Sequence, residues 1–156
     1  MRAAVVVASN RAAAGVYEDT TGPLIVGALR ADGWEVGEPI VVPDGEPVGQ
    51  AIRTAIGGGA RAVLTTGGTG LTPTDRTPEV TAALLDRQVP GIAEAIRAYG
   101  TSKGVATAAL SRGLAGVSGA ALVVNLPGSR GGVKDGLAVV VPLLRHAVEQ
   151  IVGSDH

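Results

Sequence analysis

The chain has 156 residues, 46% of them apolar but only 2% aromatic, with no phenylalanine, no cysteine and a formal net charge of −1. Such a length suits one domain with a sizeable core of Ala, Val, Leu and Ile, while the near-neutral charge and scarcity of stacking rings argue against nucleic acid as a partner. Without cysteine there is no disulfide framework, thiolate metal site or cysteine nucleophile. With only His146, in an apolar helical pattern, and His156 at the last position, no histidine-built metal centre is expected.

Ala3 to Ala8 reads as the first strand, and MRAAVVVASN is too short for a signal peptide. It leads into Ser9-Asn10-Arg11 and a small-residue loop through Gly15. Asp19 and Thr20 offer caps for a helix from about Thr21 to Ala31, with Leu24, Ile25, Ala28 and Leu29 on one face and Gly33 as its stop. Trp34 to Val42 reads as a second strand ending in Pro43-Asp44-Gly45. From Pro47 a helical pattern carries Val48, Ala51, Ile52 and Ala55, closed by Gly57 to Gly59.

Ala62 to Thr65 continues without polar alternation, as expected of a strand covered on both faces. A glycine turn and a helix from about Thr77 follow, then a break at Val89-Pro90-Gly91 and a helix from Ile92 to Tyr99. Thr101 to Gly119 reads as a short helix or turn, then irregular or edge-strand structure around Leu110 to Ala115. Ala121 to Leu126 is a buried strand, and Gly132 to Val152 is helical, with Pro142 expected to kink or divide it. Strand and helix alternate, so parallel strands joined by right-handed crossovers are expected. The predicted fold is α/β: a single domain, a three-layer α/β/α sandwich around a mostly parallel central sheet. No apolar run is long enough to cross a bilayer, which makes the cytoplasm the expected location.

The chemistry gathers between Arg61 and Leu85. Gly67, Gly68 and Gly70 lack a Cβ, so their backbone can reach φ > 0 and approach a ligand closely. Successive amides in such a turn can form an anion-binding concavity. Thr77 suits an N-cap, Pro78 the first helical position, and Glu79 lies where the helix dipole favours a carboxylate. Asp75 stands beyond the carboxyl end of the strand, where open α/β sheets bind ligands.

The stretches GGGARAVLTTGG and VSGAALVVNLPGS are both buried strands delivering a glycine turn. Their ends are expected on one edge of the sheet, with Ser9-Asn10 and Asp44 beside them. Two carboxylates from different strand ends fit a Mg²⁺ ion that bridges phosphates. The blander alternatives are a turn or cap before Pro47 for Asp44 and local bonding to the Thr77 helix amides for Asp75. No P-loop and no dinucleotide fingerprint is present. Gly116-Val117-Ser118-Gly119 precedes a strand instead of following one, so it is no nucleophile elbow.

These residues carry a resemblance. TTGGTGLTPTDRTPE is similar to the signature of the molybdopterin-binding (MoCF-type) domain shared by molybdopterin adenylyltransferases. SNRAAAGVYEDTTG, VVPDG, LLDRQVPGIAEAIR, LSRGLAGVSG and NLPGSRGGVKD occur in the family's order, covering essentially all of residues 1–156. NRAAAGVYED resembles the stand-alone bacterial Mog-type enzymes more than the larger fused proteins. The resemblance implies Mg²⁺-dependent transfer of AMP from ATP to the terminal phosphate of molybdopterin, with release of pyrophosphate. It also implies a homotrimer and a link to the molybdate-insertion enzyme of the same pathway.

By motif it makes Asp44 and Asp75 the catalytic, metal-holding carboxylates. It assigns nucleotide or pterin binding to Ser9, Thr66, Gly67, Gly68, Thr69, Gly70, Glu79, Ser111, Arg112, Asn125, Pro127, Gly128 and Ser129. The chain departs from the family pattern at Asn10 and Gly45, where acids are frequent, and in the segment Pro73-Thr74, where a basic residue is frequent. The same fold also serves pyrophosphate-cleaving and pyridine-nucleotide-deamidating proteins. A non-catalytic molybdopterin carrier would keep the glycine turn; the retained aspartates favour the enzyme.

Overall fold

The chain begins with β1 (Arg2–Ala8), α1 (Asn10–Ala13), α2 (Thr21–Ala31), β2 (Glu35–Val36), β3 (Ile40–Val42) and α3 (Glu46–Gly57). It continues with β4 (Ala62–Thr66), α4 (Thr77–Ala82), β5 (Arg87–Gln88) and α5 (Pro90–Ser102). A 3₁₀ turn (Ala106–Leu110), β6 (Ala115–Ser118), β7 (Ala121–Leu126) and α6 (Arg130–Ile151) complete it. This computed structural model describes residues 1–154; His156 lies outside the described residues.

The sheet runs β2-β1-β4-β7-β6-β5, with β3 also on β1. β1, β4 and β7 are parallel neighbours, Val5 opposite Leu64 and Leu64 opposite Val124. Because side chains alternate along a strand, each face has its own core. Val5, Val7, Leu64, Leu122 and Val124 pack with Ile25 and Leu29 of α2, Ile96 of α5, and Val140 and Leu144 of α6. On the other side, Val6, Val63 and Val123 meet Val48, Ala51 and Ile52 of α3. The three layers are as the alternation of elements predicts.

The differences are local and have physical reasons. The expected strand from Trp34 to Val42 is two short ones, because Pro39, just before β3, has no N–H to give a ladder. Trp34 precedes them: its ring is buried, its Nε1–H donates to Asp32 Oδ2 at 3.1 Å, and the Arg145 guanidinium lies 5.3 Å from the ring.

β5 and β6 are antiparallel to their partners, so the sheet is mostly parallel with an antiparallel end. A two-residue turn with Gly119 at φ 57° returns β6 into β7. Gly116 runs against β5 so closely that a Cβ there would stand 2.5 Å from the Arg87 carbonyl. Packing, not catalysis, accounts for that glycine.

Thr77 is the first residue of α4 and not its cap, which is Arg76; Pro78 is therefore at the second position. α6 continues through Pro142 as one 22-residue helix. Pro142 is exposed, so the carbonyl that loses its partner can turn to water while Val140 and Leu144 stay buried. His146 is on the exposed side of that helix, with Gln150 Nε2 at 3.3 Å, and not in the apolar stripe. No described helix is long and apolar enough to cross a membrane.

Candidate functional site

The carboxyl ends of β4 and β7 lie side by side because the strands are parallel neighbours, and their turns touch. Thr66 Oγ1 donates to the Pro127 carbonyl at 2.7 Å, and the Gly67 N–H donates to the Leu126 carbonyl at 3.3 Å. A Cβ on Gly128 would stand 3.2 Å from the Gly67 Cα. Gly67 and Gly68 have φ of 88° and 69°, the left-handed conformation that excludes most side chains. At Gly67 a Cβ would collide with the Ala8 carbonyl at the end of β1. The TTGGTG and NLPGS turns therefore form one continuous glycine surface beside the end of β1.

Both edge serines are helix caps. Ser9 Oγ accepts from the Ala12 N–H at 3.1 Å, and Ser129 Oγ accepts from the Gly132 N–H at 3.0 Å. Between them opens a cavity of about 270 Å³ lined by Ser9, Tyr17, Asp19, Thr20, Gly67, Gly128, Ser129 and Arg130, among others. Behind the NLPGS turn lies a second cavity of about 210 Å³, whose lining includes Ile96, Arg97, Val105, Ser111, Pro127, Ser129 and Asp135. Ser129 borders both. The turn is thus a wall between two compartments of small-molecule size.

Asp44 and Asp75 line neither cavity; they stand on the other flank of the glycine turn. Asp44 does not cap the helix that follows it, which starts from Gly45 at φ 94°. Its Oδ1 accepts from the Arg76 N–H at 2.9 Å, so a residue after β3 holds the start of α4. Its own N–H donates to Asn10 Oδ1 at 3.0 Å, which gives the unexpected asparagine a role: positioning the Asp44 backbone. A Cβ on Gly68 would collide with Asp44 Oδ2 and Thr77 Oγ1 together. Partial burial raises the Asp44 carboxyl above its ordinary pKa; the Arg76 and Gly45 amides oppose this, and Asp75 and Glu79 add repulsion.

Asp75 Oδ2 accepts from the Thr72 N–H at 3.0 Å and would lie 2.8 Å from a Cβ on Gly70. Its carboxylate closes its own turn, while the contact to the backbone at the start of α4 belongs to Asp44.

Arg112 braces this flank. Its Nε–H donates to the Gly70 carbonyl at 2.9 Å, Nη2 donates to the Asp75 carbonyl at 2.9 Å and to Glu79 Oε1 at 3.1 Å, and Nη1 donates to Glu79 Oε2 at 2.7 Å. Its N–H also holds the Thr69 carbonyl, and Ser111 Oγ lies 3.4 Å from Thr69 Oγ1. Arginine and glutamate are thus occupied with each other and with the loop; a guanidinium has five N–H donors and four are committed here. The bidentate bond holds the Glu79 carboxyl below its ordinary pKa and raises Arg112.

Because Glu79 is depressed in the fold, its contribution to stability is present above the ordinary glutamate range and is lost as pH falls through the lowered value. Arg112→Ala is expected to lower Tm most at neutral pH, with the gap narrowing on acidification below that range. The exposed geometry calls for a modest effect. Thermal scans across pH check it, and equal Tm values at neutral pH would contradict the bracing role.

Asn125 is not at the open edge. It is buried, with Nδ2 donating to Thr65 Oγ1 at 2.9 Å and Thr81 Oγ1 at 3.1 Å, and Oδ1 accepting from the Leu114 N–H at 3.0 Å. It joins β4, β7, α4 and the loop before β6. The sequence reading passed over Tyr17, Asp19, Thr20 and Arg130 as lining residues and Arg97, which donates to the Ser111 and Gly113 carbonyls. The signal for Tyr17, Asp19 and Thr20 is a loop leaving a strand end and for Arg130 a basic residue after a glycine turn; Arg97, inside α5, has no such local signal.

Comparison with known proteins follows the same lines. A family model described as "Probable molybdopterin binding domain" matches residues 4–146. The chain is 38% identical to a molybdopterin adenylyltransferase from Pyrococcus furiosus over 93% of its own length and 90% of that protein's. It is 43% identical to a molybdenum cofactor biosynthesis bifunctional protein from Synechococcus elongatus, over 99% of this chain and 48% of that one. It therefore spans about half the length of such bifunctional relatives. The solved structure of the molybdopterin biosynthesis Mog protein from Mycobacterium ulcerans superposes with a TM-score of 0.91 at 50% identity, covering 96% of this chain and 98% of that one.

Proposed function

The chain belongs to the molybdopterin-binding domain family, and from that membership we propose that it is a molybdopterin adenylyltransferase of molybdenum-cofactor biosynthesis. The observation that carries the reading is the juncture of the TTGGTG and NLPGS turns, with a compartment on each side of NLPGS and two aspartates on the flank of TTGGTG. A two-substrate transfer needs such an arrangement: two anionic reactants brought together at one backbone surface.

In the proposed reaction, an oxygen of the pterin's terminal phosphate forms a bond to the α-phosphorus of ATP. The bond from that phosphorus to the bridging oxygen of the β-phosphate breaks, and pyrophosphate leaves with the electron pair. The attacking phosphate is already ionised at neutral pH, so no side-chain base is required. The protein's task is alignment and offsetting of charge. The glycine turn Gly67 to Gly70 would offer its uncommitted backbone N–H groups to phosphate oxygens. Ser9 and Ser129 fix the two walls, and Arg130 brings a cation to the cavity rim.

Mg²⁺ belongs to this proposal. Among the described residues no three His, Cys, Asp or Glu side chains converge as a metal site. Asp44 and Asp75 would hold the ion jointly with substrate phosphates, which suits a cation that takes few protein ligands. The carboxyl of Asp44, raised by burial and by neighbouring acids, is a group whose charge a cation would stabilise. Bound there, Mg²⁺ would neutralise negative charge on the triphosphate. ATP as co-substrate suits a cytoplasmic reaction. Assembly as a homotrimer and hand-over to a molybdate-insertion enzyme rest on the family resemblance, the latter also on bifunctional relatives.

Incubation with molybdopterin, ATP and Mg²⁺ should give adenylylated molybdopterin and an equal amount of pyrophosphate, both suppressed by EDTA. Tight pterin binding without product would mark a carrier instead, and pyrophosphate release without pterin a pyrophosphatase.

A further inference from the structure

Among the described residues, the buried side-chain polar atom that finds no hydrogen-bond partner is Thr77 Oγ1. Thr77 is fully buried at the first position of α4. One turn later Thr81, equally buried, has its hydroxyl bonded by Asn125. The fold thus satisfies one hydroxyl of this helix and leaves the other idle, although an unpaired buried hydroxyl costs stability. The idle one shares the space above the bare Cα of Gly68 with Asp44 Oδ2, the oxygen not used by the Arg76 N–H. No hydrogen bond joins the two oxygens.

We propose that Thr77 is a positioning residue that acts through Asp44: with substrate bound, its hydroxyl donates to Asp44 Oδ2 and fixes the plane of that carboxylate. The inference rests on the adenylyl transfer proposed above. Asp44 Oδ1 is tied to the Arg76 N–H while no side chain donates to Oδ2, and the carboxylate's terminal torsion is soft. Clamping the second oxygen requires a donor that faces the protein interior, so that the ligand side remains free. Thr77 is placed for this, since its side chain is fully buried and its hydroxyl stands beside Asp44 Oδ2 over Gly68. Glycine at 68 is what lets the hydroxyl and carboxylate approach, and any Cβ there would separate them.

The test uses Thr77→Val, which keeps the shape and removes the hydroxyl, and Thr77→Ser, which restores it. Because the hydroxyl makes no bond in the resting fold, Thr77→Val should show a Tm equal to or above the parent's. The maximal rate of AMP transfer should fall about tenfold or more, the scale of a lost hydrogen bond to a charged group. KM for molybdopterin should change little, and Thr77→Ser should recover most of the rate. Calorimetry with ATP alone gives a readout apart from turnover: affinity in the absence of Mg²⁺ should match the parent's. A Thr77→Val protein that turns over within twofold of the parent would overturn the inference while leaving the transfer reaction standing. A lowered Tm would also overturn it, since the hydroxyl would then be bonded at rest. A parent protein that forms no adenylylated product would remove the reaction itself, and the inference with it.

Discussion

Gly68→Val is expected to abolish nucleotide binding and turnover while leaving a cooperatively folding protein. Gly68 has φ 69°, a conformation that costs a β-branched residue about 1–2 kcal/mol. Its Cβ would also strike Asp44 Oδ2 and Thr77 Oγ1, and crowding of this kind typically costs a further 1–3 kcal/mol or so. A domain stable by about 5–15 kcal/mol can absorb that loss. The proposed site cannot, because relief of the clash must move the Asp44 carboxylate, the start of α4, or the glycine turn proposed to hold phosphate. The pair of measurements is a thermal melt and an ATP titration. A cooperative melt with ATP affinity equal to the parent's would place the nucleotide elsewhere.

The second large effect concerns the aspartates, and it separates activity from stability. Asp44→Asn retains an oxygen to accept the Arg76 N–H, so the start of α4 stays tied. It removes a charge whose carboxyl is raised by burial, with Asp75 and Glu79 adding repulsion. A carboxyl whose pKa is raised on folding makes the native state bind its proton more readily. Stability from this group therefore falls as pH rises from its ordinary value through the raised one. At neutral pH Asp44→Asn should melt at the parent's temperature or above it, and the advantage should disappear toward acid pH. Turnover should drop on the order of a hundredfold or more, as when one strong electrostatic contact is removed from a transition state. Asp75→Asn should lose rate on a similar scale with pterin affinity little changed. Full activity in Asp44→Asn would reduce that residue to a tie on the Arg76 N–H at the start of α4.

Asp44, with its raised carboxyl, and Thr77, with its unpartnered hydroxyl, both cost stability in the fold, and the proposed transfer gives each a use. The rest of the edge follows the rules. β4 and β7 were legible because continuous apolar runs ending in glycine have few other readings, and their shared edge followed from parallel connection. The antiparallel end of the sheet was not legible. β5 is two exposed polar residues, Arg87 and Gln88, that become a strand only by lying against Gly116 and Val117. The split between β2 and β3 was signalled by Pro39, inside a stretch that otherwise reads as one strand.

Within the site, glycines and aspartates declared themselves through chain-local chemistry: turns, caps and strand ends. The contacts that define their work are non-local. Asp44 reaches across to Arg76, Asn10 supports Asp44, and Arg112 closes on Gly70, Asp75 and Glu79. The motif match brought Arg112 forward as a ligand contact, yet no local pattern shows that its donors are taken by the loop. The motif likewise brought Asn125 forward, yet no local pattern shows that its amide is bonded to Thr65 and Thr81.

The most direct measurement is a single-turnover reaction with ¹⁸O in the terminal phosphate of molybdopterin, followed by mass analysis of both products. Adenylyl transfer by attack at the α-phosphorus predicts that all of the label stays in the adenylylated pterin and none enters pyrophosphate. Label in the pyrophosphate, or pyrophosphate formed at the same rate without the pterin, would contradict it.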